Sequence, residues 1–104
     1  MNSENKTYDS RILIIDDEII NVELLEDILD GSGYEQVTGV TDPKEGIDLY
    51  KQQEFDLILL DINMPELSGF DVMEILKTIE KGLPPPILVL TALKNQNICN
   101  FPYF

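Results

Sequence analysis

The chain has 104 residues, which is enough for one domain with a single hydrophobic core. Its 20 acidic and 7 basic residues give a formal net charge of −13, which argues against binding to nucleic-acid phosphates or to an anionic membrane surface. Histidine is absent and Cys99 is the only cysteine, which excludes an imidazole metal site and an internal disulfide within this chain. No apolar run approaches the length of a membrane span, and a lone cysteine fits a cytoplasmic location.

Residues 1–8 are polar and lack an apolar signal core, so they are predicted to be a flexible lead-in. The first predicted strand, at residues 12–15, is a short aliphatic run typical of a strand buried on both faces. It ends at the acidic pair Asp16 and Asp17.

A helix is predicted over residues 19–30, with two glycines after it as the stop signal. The residues expected on its buried face are Val22, Leu25, Ile28 and Leu29.

The acidic pair has two explanations. It could simply cap the helix at residues 19–30, because acidic side chains favour helix N-termini. However, Asp16 and Asp17 are followed directly by Glu18, and three adjacent acids exceed what a cap needs. We therefore favour a functional role for the pair.

The middle of the chain repeats the order of strand and helix. Gln36–Val40 is a weaker strand pattern that fits the edge of a sheet. Asp42, followed by proline at the first helical position, predicts a helix that runs to about Gln52. A third strand, at residues 57–60, stops at Asp61, so an acidic residue again follows a buried aliphatic run.

A third helix is predicted over residues 68–81, and Gly82 with three prolines then imposes an extended entry into the next strand. That fourth strand, Ile87–Leu90, runs into Thr91 and Ala92. Thr91 could be only a helix cap, but in this context we favour a functional role. The helical residues expected in the core are Phe70, Met73, Leu76 and Ile79.

This alternation of strands and helices predicts an α/β fold, a flavodoxin-like doubly wound parallel sheet with strand order 2-1-3-4. In such sheets the ligand crevice lies at the carboxyl ends of the first and third strands. There Asp16, Asp17 and Asp61 would lie close together. Three carboxylates repel one another unless a cation sits among them, so the pattern predicts a site for a hard divalent metal.

Three segments, in this order along the chain, carry a resemblance to a known family. They are Asp16-Asp17-Glu18, then Asp61-Ile-Asn-Met-Pro with Gly69 nearby, then Thr91-Ala92. In combination they resemble the receiver domain of response regulators in two-component signalling. The resemblance implies that Asp61 accepts a phosphoryl group from a sensor histidine kinase or a phosphotransfer protein.

The resemblance also implies a role for each residue around the acceptor. Mg²⁺ would be held by Asp16, Asp17 and Asp61, together with the backbone carbonyl of Asn63. Thr91 would contact the phosphoryl oxygens through its hydroxyl group. Met64 and Pro65 would shape the loop beside the site, and a glycine at position 69 would permit a close backbone approach.

The sequence departs from the family pattern at its C-terminal end. The receiver-like domain is expected to cover residues 9–94, and residues 95–104 form an atypical tail. The family's fifth strand, fifth helix and strand-end lysine have no counterpart in the sequence. We therefore expect a C-terminally truncated receiver that is not an enzyme in the turnover sense and that forms a homo-oligomer through the exposed fourth strand or the tail.

Two alternatives stay open at this point. The first is a receiver-like interaction or dimerisation module that is impaired in switching, which the missing lysine and strand favour. The second is a metal-dependent phosphohydrolase with an aspartyl nucleophile. The sequence has no Asp-x-Asp signature after a strand, which makes the second alternative remote.

Overall fold

A computed structural model describes residues 9–65, 67–79 and 82–90 of the protein. Strands and helices alternate along the described chain, as the sequence predicts. The elements are β1 (Arg11–Ile15), α1 (Ile19–Gly31), β2 (Gln36–Val40), α2 (Pro43–Gln52), β3 (Leu57–Asp61), α3 (Gly69–Thr78) and β4 (Ile87–Leu90). None of the described helices is both long enough and apolar enough to cross a membrane.

The four strands form one parallel sheet in the order β2-β1-β3-β4, which confirms the predicted topology. Ile15, the last residue of β1, pairs with Val40 on one side and with Leu60 on the other. The next residues along the chain, Asp16 directly after β1 and Asp61 at the end of β3, therefore emerge side by side. We call this end of the sheet the carboxyl edge.

The sheet separates two hydrophobic clusters, as a doubly wound fold requires. Leu13 and Ile15 point to the side covered by α2 and α3, and Ile12 and Ile14 point to the side covered by α1. The larger cluster comprises Leu13, Ile15, Val40, Ile47, Tyr50, Phe55, Ile58, Leu60, Met64, Val72 and Leu76. Both faces of the central strands β1 and β3 are thus buried, which fixes the position of the carboxyl edge.

The helix ends follow the capping signals in the sequence. The Asp42 side chain accepts a hydrogen bond of 3.0 Å from the Lys44 backbone N–H, which confirms the predicted start of α2. At the start of α3, Ser68 and Asp71 form a reciprocal capping box. α3 ends at Thr78, before the predicted end at residue 81, because Ile79 is already extended (φ −88°, ψ 119°). Residues 80 and 81 lie outside the described part of the chain.

Two residues that we predicted to be in the core are exposed instead. Phe70 is 59% exposed and Ile28 is 52% exposed. α3 buries Val72 and Leu76, and Phe70 lies about 200° around the helix from Val72, on the solvent side. Ile28 lies at the margin of the α1 face that packs on the sheet. Hydrophobic spacing alone therefore extended the predicted core face by one position in each helix.

Candidate functional site

Three aspartates meet at the carboxyl edge of the sheet. Asp16, Asp17 and Asp61 each offer a carboxylate oxygen, and these three oxygens all lie within 4.8 Å of one another. Asp16 and Asp61 are buried, and Asp17 is half-buried. The convergence predicted from the strand ends is therefore present in the fold. We refer to these three residues as the carboxylate cluster.

Asp16 is held in place by the chain that follows it. Its Oδ1 atom accepts a 2.9 Å hydrogen bond from the Glu18 backbone N–H, and its Oδ2 atom accepts a 3.3 Å hydrogen bond from Asn21 Nδ2. The N-cap of α1 is Glu18, whose side chain makes no capping hydrogen bond. The two aspartates thus precede the cap position. The capping explanation of the acidic pair does not describe this geometry.

Asn21 is a contributor that sequence reasoning missed. It lies in the first turn of α1, and its side-chain amide reaches back to Asp16. The amide orients the carboxylate and stabilises its charged form by donating a hydrogen bond to it. The available signal in the sequence was a polar residue in the first turn of α1, whose other residues, Ile19, Ile20 and Val22, are apolar.

Asp61 ends β3, and the loop after it turns back towards its carboxylate. Its Oδ1 atom accepts a 3.2 Å hydrogen bond from the Asn63 backbone N–H. The loop is tightened by the Gly69 N–H, which donates a 2.9 Å hydrogen bond to the Ile62 carbonyl. Met64 is buried in the larger hydrophobic cluster and thereby anchors the loop to the core. The Asn63 side chain is exposed. The role of the Asn63 backbone carbonyl as a metal ligand stays a prediction.

The predicted need for glycine at position 69 is confirmed by its surroundings. A Cβ atom on Gly69 would lie 2.5 Å from the Asp61 carbonyl oxygen and 2.6 Å from the Ile62 Cα atom. Both neighbours are backbone atoms of the loop that positions Asp61, so they cannot rotate away. Gly69 therefore allows α3 to begin directly against the site.

A cavity of about 440 Å³ opens beside the carboxylate cluster. Asp17 contributes to its wall, as do Met64 and Pro65 from the loop after β3. The start of α2, including Asp42 and Lys44, also lines the cavity. The cavity gives a small group access to the half-buried member of the cluster.

The donor set fits Mg²⁺. All the candidate ligands are oxygen atoms. Two of the three carboxylates are buried, and repulsion between like charges is stronger in a buried site than in water. A hard divalent cation offsets this repulsion and prefers such ligands. The geometry of the cluster therefore suits a cation held beside the Asp61 carboxylate.

The remaining predicted site residue, Thr91, lies outside the described residues, as does Ala92. The role of Thr91 therefore stays a prediction. The same holds for the lead-in at residues 1–8 and the tail at residues 95–104.

Comparison with known structures shows the same fold in receiver domains. The receiver domain of the histidine kinase CKI1 from Arabidopsis thaliana, complexed with Mg²⁺, gives a TM-score of 0.75 at 23% sequence identity and covers 85% of this chain and 71% of that one. The chemotaxis protein CheY4 from Vibrio cholerae gives a TM-score of 0.66 at 28% identity, with coverages of 85% and 72%. The similarity to CKI1 supports the fold, not a function.

Sequence comparison gives the family. The chain is 36% identical over 81 residues to the polar-differentiation response regulator DivK of Brucella ovis, an alignment that covers 78% of this chain and 65% of DivK. The matched segment thus spans slightly less than two thirds of that relative. Residues 12–100 match the family described as the response regulator receiver domain. The chain therefore belongs to the response regulator receiver domain family.

Proposed function

We propose that this chain is a phospho-acceptor module of a two-component phosphorelay, with Asp61 as the acceptor. The observation that carries the proposal is the carboxylate cluster, in which a buried strand-end aspartate has two further carboxylate oxygens within 4.8 Å. Membership of the receiver family supports the same role. The cavity beside Asp17 provides the approach for a phosphoryl donor.

In the proposed reaction, a carboxylate oxygen of Asp61 attacks the phosphorus atom of a phosphohistidine on the donor protein. An oxygen–phosphorus bond forms, the phosphorus–nitrogen bond breaks, and the imidazole nitrogen leaves with the electron pair of that bond. The product on this chain is an acyl phosphate. The Asn63 N–H holds Oδ1 of Asp61 and thereby orients the carboxylate for attack.

Asp16, Asp17 and Asp61, with the backbone carbonyl of Asn63, are the residues that would hold Mg²⁺. When bound, the ion offsets negative charge as the carboxylate and the phosphoryl group approach each other. The hydrogen bonds from Glu18 and Asn21 keep Asp16 in position for this role. The presence of Mg²⁺ in the CKI1 receiver structure supports the choice of metal.

The proposed partner is a sensor histidine kinase or a phosphotransfer protein in the cytoplasm, because both carry the phosphohistidine that the reaction needs. Thr91 would contact the phosphoryl oxygens after transfer. The net charge of −13 disfavours nucleic acid and anionic membranes as partners. We do not propose an enzyme in the turnover sense, because the phosphoryl group stays on the chain as a signal.

We also propose self-association through β4 or the C-terminal tail. β4 is the last strand on its side of the described sheet, so its outer backbone groups have no strand partner among the described residues. Leu88, within it, is 40% exposed. An aliphatic edge strand favours pairing with another copy.

The acceptor role is tested by incubating the protein with Mg²⁺ and acetyl phosphate and measuring its intact mass. The parent should gain one phosphoryl group that survives acid and is lost in base. Asp61→Asn should gain none, whereas Asp48→Asn, the same change on the exposed side of α2, should behave as the parent.

Two other outcomes would replace the proposal. A folded parent that binds Mg²⁺ but forms no adduct would indicate the switching-impaired interaction or dimerisation module instead. Sustained release of inorganic phosphate over many turnovers would indicate a phosphohydrolase.

A further inference from the structure

We infer that Lys44 is the cationic contact for the phosphoryl donor in the cavity beside the carboxylate cluster. This inference rests on the proposed function, because it names a residue that assists the same transfer. The residue lies on α2 and lines this cavity together with the loop after β3. Its proposed role is electrostatic, and it forms no covalent bond.

The topology places Lys44 at the carboxyl edge and the other described basic residues away from it. Helices in this fold run antiparallel to the strands, so their N-termini lie at that edge and their C-termini lie at the other. Lys51 and Lys77 lie in the last turns of α2 and α3, and Arg11 begins β1. Among residues 9–65, 67–79 and 82–90, these three basic residues therefore sit at the opposite end from the site.

Lys44 also lines the cavity beside the carboxylate cluster. It lines the same space of about 440 Å³ as Asp17 and Met64. An oxygen of Asp17 lies within 4.8 Å of one of Asp61, so a group in this cavity is close to the acceptor. The Lys44 backbone N–H donates a hydrogen bond to the Asp42 side chain, which fixes the start of the helix that carries Lys44.

The charge balance of the site explains why a second cation is useful. Three ionised carboxylates carry three negative charges, and one divalent cation leaves a surplus of one negative charge. Asp42 adds a further carboxylate to the cavity wall. An anionic phosphodonor must enter against this surplus, so a lysine ammonium on the wall lowers the electrostatic cost of its approach.

Lysine suits this position because its ammonium is a compact charge with three donors on a flexible stem. Lys44 is exposed, so substitution should leave the structure intact. Lys51 provides a matched control on the same helix. Lys44→Gln and Lys51→Gln change the net charge equally, so a general charge effect would appear in both.

The first measurement is the initial rate of adduct formation with acetyl phosphate and saturating Mg²⁺. We expect Lys44→Gln to reduce the rate at low donor concentration by about tenfold, Lys51→Gln to stay within about twofold of the parent, and Lys44→Arg to retain most of the rate. The rate of the parent should also fall more steeply with added salt than that of Lys44→Gln. Equal rates for Lys44→Gln and the parent would overturn the inference.

The second measurement does not depend on phosphorylation. Acetonylphosphonate, an analogue of acetyl phosphate that cannot transfer its phosphorus, is titrated into each variant with Mg²⁺ and followed by nuclear magnetic resonance. Binding that Lys44→Gln weakens about tenfold and Lys51→Gln leaves unchanged would support the inference, even if the parent formed no adduct and the proposed function failed. No binding to the parent, or equal binding to Lys44→Gln, would overturn it.

Discussion

Gly69 lies against the main chain of Asp61 so closely that a methyl group on it would come within 2.5 Å of the Asp61 carbonyl oxygen. The contact joins the first residue of α3 to the last residue of β3. The same glycine donates its N–H to Ile62, one residue beyond Asp61. A residue outside the carboxylate cluster thus determines the shape of the loop that follows Asp61.

Gly69→Ala should therefore destabilise the fold, because the clashing atoms belong to backbone that cannot rotate away. We expect a loss of about 2 kcal/mol or more in the free energy of unfolding, measured by urea denaturation. Gly31→Ala is the control, since a Cβ atom there meets nothing within 4 Å and alanine favours the helix. Equal stabilities for Gly69→Ala and the parent would show that the loop accommodates a side chain.

Asp17→Asn should change stability in opposite directions with and without Mg²⁺. Without the metal, the substitution removes one of three mutually repelling charges and should raise the free energy of unfolding by up to about 1 kcal/mol. With Mg²⁺ at about 100 times its dissociation constant, the parent should gain about 2.7 kcal/mol and the variant much less. Thermal melts across a Mg²⁺ titration would test this reversal, and parallel responses of the two proteins would contradict the assigned metal site.

Tyr50 gives the fold a predictable sensitivity to alkaline pH. Burial, with a smaller contribution from Glu54, raises the pKa of the Tyr50 phenol above its ordinary value of 10.0. The folded state therefore holds this proton more tightly than the unfolded state. The resulting stability is fully present below about pH 10 and is lost as the pH rises through the raised pKa.

Tyr50→Phe should consequently flatten the loss of stability as the pH rises above about 10, measured by urea denaturation at each pH. Tyr34→Phe, on the other face of the sheet, controls for the general effect of alkaline solution. An unchanged slope in Tyr50→Phe would show that this phenol does not drive the pH dependence.

The proposed self-association through β4 is tested by size-exclusion chromatography with light scattering at micromolar concentration. If the edge of β4 pairs with another copy, the parent should be larger than a monomer, and Leu88→Lys should dissociate it, because a charge on an edge strand opposes pairing. Leu83→Lys is the control, because Leu83 is 88% exposed and lies before the strand. A monomeric parent would refute self-association, and an oligomer that Leu88→Lys leaves intact would exclude this edge as its route.

The carboxylate cluster could be predicted because short aliphatic runs identify the strands and the polar residues that follow them mark the strand ends. Once β1 and β3 are placed side by side, the register brings Asp16 and Asp61 together without further information. The family motifs indicated Asp61 as the proposed acceptor. These features depend on local sequence and on one topological rule.

Other features depend on packing that the sequence does not show. Phe70 fits the helical spacing of α3, but Val72 and Leu76 occupy the side that meets the sheet. The contact of Asn21 with Asp16 and the cavity position of Lys44 depend on the angles at which the loops join helices to strands. Sequence spacing identifies the faces of a helix, whereas the orientation of that helix on the sheet requires coordinates.

The most direct test of Asp61 as the phosphoryl acceptor is to locate the acyl phosphate in the sequence. After reaction with acetyl phosphate and Mg²⁺, borohydride reduction converts an aspartyl phosphate into homoserine, which peptide mass spectrometry can place in the sequence. If Asp61 is the acceptor, homoserine should appear at position 61, and the aspartates at positions 16 and 17 should be unchanged. Homoserine at either of those two positions, or an unmodified Asp61 in a protein that carries the phosphoryl group, would contradict this assignment.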